Sequence, residues 1–240
     1  MKRHRWQKLG AVLCGLLFLS GCGLFAKTKP DRPPEVLASE GLKKMKAKDY
    51  DDAVDAFEAI KDRYPYSQEA LLASLKVADA KYYNKKYEEA LQDYKEFEKL
   101  HPTNPAVPYV IYQQGMCYYR QRSTIDRDQT FTTRALGEFR RLKQRFPDYE
   151  RMSRVDFYIA RCLRDLAEHE FYVGEFYYKT EHFEAALDRF QTLEQEYPQY
   201  HKMARVKNYI AQCERILALP EKKERGGLWR PVTYLFDANW

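Results

Sequence analysis

Apolar positions recur along this chain at helical spacing, in four copies that keep the same register. Ala53, Ala90, Ala135 and Ala186 are each followed by an aromatic residue four positions on, Phe57, Tyr94, Phe139 and Phe190. A proline follows twelve positions after each alanine: Pro65, Pro102, Pro147 and Pro198. Positions one and seven are also apolar every time, as Val54 and Ile60, Leu91 and Phe97, Leu136 and Leu142, Leu187 and Leu193. Each copy therefore spells an amphipathic helix, stopped by a proline that cannot continue it. Gly41, Ala78 and Gly174 lie twelve residues before the alanine in three copies. Small residues on both members of a helix pair let the two backbones approach closely, and the aromatic one turn on is expected to fill the groove against the next pair. Such a pair leaves an apolar face bare, so pairs must stack into an array with an extended surface.

Small residue, alanine, aromatic and proline at these intervals resemble the tetratricopeptide repeat. The fold expected is all-α, a superhelical solenoid of about four and a half repeats, or about nine helices, over residues 35–219. The prolines are 37, 45 and 51 residues apart, so the array is irregular. The first excess falls in residues 120–131, where Ser123 to Asp128 is polar and turn-prone and predicts a protruding loop. The second contains no proline, and fourteen extra residues are nearly four helical turns. That predicts one long helix from about Met152 to Thr180, and a ninth helix from about Gln199 to Leu217. Cys117, Cys162 and Cys213 each lie fifteen residues after a repeat proline, where the first repeat has Ala80. Equivalent positions on neighbouring helices sit roughly 8–10 Å apart, too far for a disulfide. They are expected to be free, buried thiols acting as small apolar residues.

The first residues carry Lys2, Arg3, Arg5 and Lys8 with no acid, and the apolar run from Leu9 to Leu19 follows. That order is a secretory signal, and the run is too short for a membrane span. It ends in Leu19-Ser20-Gly21-Cys22, which matches the bacterial lipobox. Residues 1–21 are thus expected to be a signal peptide, and Cys22 a lipidated N-terminus bearing a diacylglycerol and an N-acyl chain, with no other cofactor. Gly23 in place of aspartate implies the periplasmic face of an outer membrane. Residues 22–34, rich in Lys and Pro, read as a tether. Removing residues 1–21 takes away four of the 41 Lys and Arg and none of the 35 Asp and Glu, leaving a balance near +2. Without a concentrated basic face, nucleic acid is not an expected partner.

The five histidines, His4, His101, His169, His182 and His201, show no metal-ligand spacing, and no phosphate loop or nucleophile elbow appears. His169-Glu170 is half of a zinc-protease motif without its second histidine. No catalytic residue or metal ligand is therefore expected. Repeat geometry instead directs four positions of each first helix toward the inner surface. These are Leu75, Asp79, Tyr82 and Tyr83 in the second repeat, and Tyr112, Met116, Tyr119 and Arg120 in the third. They read either as an aromatic peptide groove with one fixed cation, or, for Tyr82 and Tyr119, as packing against the next helix.

Several motifs narrow the resemblance. The lipobox, Pro33-Pro34, Arg63-Tyr64-Pro65, His101 to Pro105 and Tyr109 to Gly115 are similar to the BamD family of outer-membrane assembly lipoproteins. So are Asp126-Arg127-Asp128, Glu170 and Val173 to Tyr178. The resemblance runs from about Cys22 to Leu217. It implies a non-enzymatic lipoprotein, anchored by lipid in the inner leaflet of the outer membrane, that works with BamA and other lipoproteins of the same complex. The N-terminal repeats would capture unfolded outer-membrane β-barrel chains. BamA would dock on the C-terminal half, where Glu168, Glu170, Phe171, Glu175 and Lys179 stand out on the long helix. The alternative is another periplasmic repeat lipoprotein, a pilotin or an adaptor for cell-wall enzymes. Residues 220–240 depart from the family pattern. Lys222 to Gly227 reads as a hinge, and Leu228 to Phe236 with Trp240 as an apolar tail that either caps the ninth helix or inserts into a partner or the chain's own groove.

Overall fold

The structure, a computed structural model, describes residues 32–219. The signal peptide, Cys22, most of the tether and the tail of residues 220–240 lie outside the described residues. Within them the chain forms nine helices in sequence order. These are α1 (Pro34–Ala47), α2 (Tyr50–Arg63), α3 (Gln68–Tyr83), α4 (Tyr87–Leu100), α5 (Val107–Arg120), α6 (Thr130–Arg145), α7 (Met152–Lys179), α8 (Phe183–Glu196) and α9 (Met203–Leu217). Each helix packs on its neighbours in sequence, and α1 also touches α3, so contacts run along the array and build a solenoid. The repeat pattern and this stacking together give the all-α tetratricopeptide-repeat solenoid expected.

The repeat prolines act one residue early. Tyr64, His101, Phe146 and Tyr197, each just before its proline, leave helical geometry with φ of −130°, −130°, −137° and −128°. The proline ring crowds the preceding backbone out of the α region. Within three of the units the chain turns back through a left-handed residue, Lys48, Lys85 or Glu181. The third unit replaces that turn with its insertion.

In the first, third and fourth units the aromatic of the second helix also lies against the small residue of its own first helix, in addition to the expected reach toward the next pair. A Cβ added to Gly41 would sit 2.7 Å from Phe57, and one on Gly174 2.7 Å from Phe190. Gly115 plays the same part for Phe139, twenty residues before Ala135 because the insertion intervenes. The same rings also reach forward. Phe139 stacks on Tyr158 at 5.4 Å and Phe190 on Tyr209 at 4.8 Å. One aromatic thus closes its own pair and joins it to the next.

Cys117, Cys162 and Cys213 are free and buried. The long helix spans 28 residues. Its first half belongs to a core shared with α4, α5 and α6, through Val155, Cys162 and Leu166. Its second half belongs to another core with α8 and α9, through Ala167 and Phe171. On α9 the exposed positions are Ala204, Arg205, Lys207, Asn208, Ala211, Glu214, Arg215 and Leu217, with Ile210 and Ile216 half-buried, and the tail expected to cap this helix lies outside the described residues.

Candidate functional site

The eight groove residues divide into two sets. Asp79, Tyr112, Met116 and Tyr119 are buried, which corrects the placement of the first three on an open surface and, for Tyr119, matches the alternative of packing against the next helix. Asp79 accepts hydrogen bonds from Tyr94 at 2.8 Å and Tyr109 at 2.7 Å through one carboxylate oxygen, and from Lys76 at 2.7 Å through the other. Gln113 donates to both tyrosine hydroxyls, at 3.2 and 3.1 Å. Burial and the neighbouring Asp79 charge push the Tyr94 and Tyr109 phenols well above their ordinary range. Tyr112 packs among Phe139, Tyr149 and Tyr158, and Tyr119 meets Tyr158 at 4.8 Å. The first half of α7 provides this cover. Its length could be read from the sequence, but not that it would lie over α5.

The second set remains accessible and connected. Tyr83, half exposed, stacks on Tyr50 and meets Tyr82 edge-on. The Tyr82 hydroxyl accepts from Nε of Arg120 at 3.3 Å. On the neighbouring turn of α5, Tyr119 meets Tyr158, which packs against the exposed ring of Phe157. Leu75 is half-buried beside the second and third units. The result is a strip from Tyr50 to Phe157 in which Arg120 forms no ion pair among the described residues. Residue spacing does not mark Phe157, because it does not show where along the long helix one unit ends and the next begins.

The insertion does not stand free. Gln129, buried, donates to the carbonyls of Thr124 and Arg127, and its own carbonyl accepts from Thr132. Arg122 lies over the Tyr119 ring at 3.8 Å and pairs with Asp165 of α7 at 3.2 Å. The His169 ring meets the Ile125 carbonyl at 2.6 Å. A loop expected to protrude is thus pinned to α7 at two points.

On the second half of α7 the five singled-out residues prove to be mostly engaged. Phe171 is buried against Phe190, Tyr200 and Tyr209, which corrects its placement as an exposed docking residue. Glu168 pairs with Lys202 at 2.8 Å, Glu170 with Arg189 at 3.1 Å and Glu175 with Arg205 at 2.6 Å. Burial would raise the Glu168 carboxyl, but the Lys202 ammonium, which donates to both of its oxygens, outweighs it and holds the pKa below its ordinary value. Lys179 alone is exposed and free of such a pair. A cleft of about 380 Å³ opens between α7 and the turn from α8 to α9, lined by Ala160, Leu163, Ala167, Tyr197, Pro198 and Tyr200 among others. Among the described residues no group of three His, Cys, Asp or Glu side chains converges as metal ligands, and no helix is long and apolar enough to cross a membrane.

An aromatic strip with one unpaired cation on a helical array does not by itself name a function, and comparison with known proteins narrows the choice. The family model described as YfiO, outer membrane lipoprotein, matches residues 30–226. The chain belongs to this outer membrane lipoprotein family. The match takes in all nine helices and both parts of the candidate site. A Caulobacter vibrioides relative named outer membrane protein assembly factor BamD is 32% identical over 180 residues. That alignment covers 73% of this chain and 59% of the relative, so the chain spans little more than half of that protein's length. The protein of the same name from Vibrio cholerae is 27% identical over 204 residues, covering 81% of this chain and 84% of the relative. Among solved structures, the TPR2AB domain of yeast Sti1 aligns at 13% identity over 77% of this chain and 71% of that one, with a TM-score of 0.45.

Proposed function

We propose that this family member is a non-enzymatic assembly factor for outer-membrane β-barrel proteins. The observation that carries the reading is the family match across the whole solenoid, together with relatives named for that assembly. Cys22 carries the lipid and holds the chain on the periplasmic face of the outer membrane. BamA binds the C-terminal half, together with other lipoproteins of the complex. The Tyr82, Tyr83, Arg120 and Phe157 strip receives unfolded substrate chains. Aromatic walls take apolar side chains, and the unpaired guanidinium takes a carboxylate through charge-assisted hydrogen bonds.

Purification of the lipidated protein from its own membranes tests the partner. BamA should accompany it, and its absence under mild detergent overturns the reading. The strip is tested separately with peptides from the C-terminal ends of β-barrel proteins. Joint substitution Tyr83→Ala and Arg120→Ala should weaken their binding roughly tenfold or more, because each contact is on the order of a kcal/mol. Unchanged affinity with a helical circular dichroism spectrum removes the strip from the mechanism.

A further inference from the structure

Tyr172 and Phe176 stand exposed on α7, at 46% and 55% of their full surface. They prolong a stripe whose earlier members are covered. Tyr158 lies against Tyr112, Tyr119 and Phe139, Asp165 is taken by Arg122, and His169 by the Ile125 carbonyl. Steps of seven, four, three and four residues keep all five on one side of the helix. The cover ends at the inserted loop, while α7 runs on. Two large rings on consecutive turns are thereby left bare where the helix runs beyond the preceding unit.

The chain itself supplies an occupant of matching chemistry. The family match stops at residue 226, and Leu228 to Phe236 lies beyond it. Six of those nine residues are apolar, and Arg230 carries the stretch's one charge. The described chain stops at Leu219, just after α9, and α9 runs beside the second half of α7. Tyr178 donates to Gln212 at 2.6 Å, and Tyr209 to Glu175 at 3.0 Å. The outward face of α9 is largely charged and small, with Leu217 its one exposed large apolar side chain. Eight residues, Pro220 to Gly227, reach up to roughly 28 Å when extended, against a helix diameter of about 10–12 Å. The apolar segment can therefore pass round the end of α7 to its far side.

We propose that Leu228 to Phe236 packs on the Tyr172 and Phe176 face of α7, so that the chain covers its own overhang. The proposal does not depend on which partner or substrate the protein serves.

The three tryptophans are Trp6, Trp229 and Trp240, so the full chain carrying Trp6→Phe and Trp240→Phe has Trp229 as its sole indole. In detergent-solubilised protein its emission should be blue-shifted, and less quenched by acrylamide, than in a synthetic peptide of residues 220–240. Joint substitution Tyr172→Ser and Phe176→Ser, both at exposed positions, should return both readings to peptide values with the helical spectrum unchanged. Peptide-like emission in the unsubstituted chain overturns the proposal. So does a blue shift that survives the α7 substitutions, which would place the tail elsewhere or in the micelle. A shift lost on dilution would assign the contact to a second copy and overturn it equally.

Discussion

A Cβ placed on Gly115 would lie 2.6 Å from Cε1 of Phe139, closer than side-chain carbons pack. The third helix pair closes at this point, and two opposing effects of a methyl group can be weighed there. Alanine gains about 1 kcal/mol of helix propensity over glycine. Overpacking a filled core costs about 1–3 kcal/mol, and Phe139 is already held from behind by Tyr158. Gly115→Ala should therefore destabilise by about 1–2 kcal/mol. Gly137, on α6 with nothing within 4 Å of its notional Cβ, isolates the propensity effect. Gly137→Ala should stabilise by up to about 1 kcal/mol, and urea midpoints of the two variants should move in opposite directions.

Asp79 is the shared acceptor of Lys76, Tyr94 and Tyr109. Asp79→Ala strands all three donors, two of them on buried or partly buried rings, and should cost about 3 kcal/mol. Asp79→Asn keeps one acceptor oxygen and should lose about half as much. If chemical denaturation finds the two variants equal, the hydroxyls have found other acceptors and the network is not a unit.

Burial pushes the Cys117 and Cys162 thiols up to about 12. The thiolate is the reactive form, so native protein at pH 8 should label with iodoacetamide only as fast as it opens. Below about pH 9 folded and unfolded states both keep these protons, and the thiols add no pH dependence. Above it the unfolded state releases them first. Stability then falls by up to ~1.4 kcal/mol per pH unit for each thiol on the way to pH 12. Paired Cys117→Ala and Cys162→Ala should flatten the alkaline slope measured between pH 9 and 10.5. The raised phenols of Tyr94, Tyr109 and Tyr112 keep some slope at higher pH by the same sign.

The Arg122 to Asp165 pair fastens the insertion to α7 and is partly exposed, so it contributes on the order of 1 kcal/mol. Asp165→Ala should raise the open population of the loop about fivefold. Trypsin cleavage after the exposed Arg127 would rise in proportion, with the global urea midpoint little changed. An unaltered cleavage rate would mean that Gln129 and the His169 contact hold the loop by themselves.

Ala53, Phe57, Pro65 and their counterparts already specified the helix order, because spacing fixes which side chains share a helical face. The long helix was legible for the same reason. Packing of Tyr119 against the next helix is one of its two readings, and what escaped was the burial of Asp79 beneath Tyr94 and Tyr109 and that of Tyr112, Met116 and Phe171. A repeat frame assigns inner-surface positions as though every unit were alike, and it cannot show that a doubled helix will lie across one unit and overhang the next. Nor does residue type reveal that Glu168, Glu170 and Glu175 are matched to Lys202, Arg189 and Arg205. Those cations lie up to 34 residues away and meet the acids only after stacking.

With 28 residues and about 1.5 Å of rise each, α7 is a rod of about 42 Å. Elsewhere the array changes direction at short turns between separate helices, each a joint at which one unit can pivot on another. Between the third and fourth units there is no joint. The two ends of the rod are clamped in different cores, so a small tilt where α5 grips it swings Tyr178 and everything α8 and α9 carry through a larger arc. The third and fourth units are thus tied by one continuous backbone element, on the side of the molecule where partners are proposed to act.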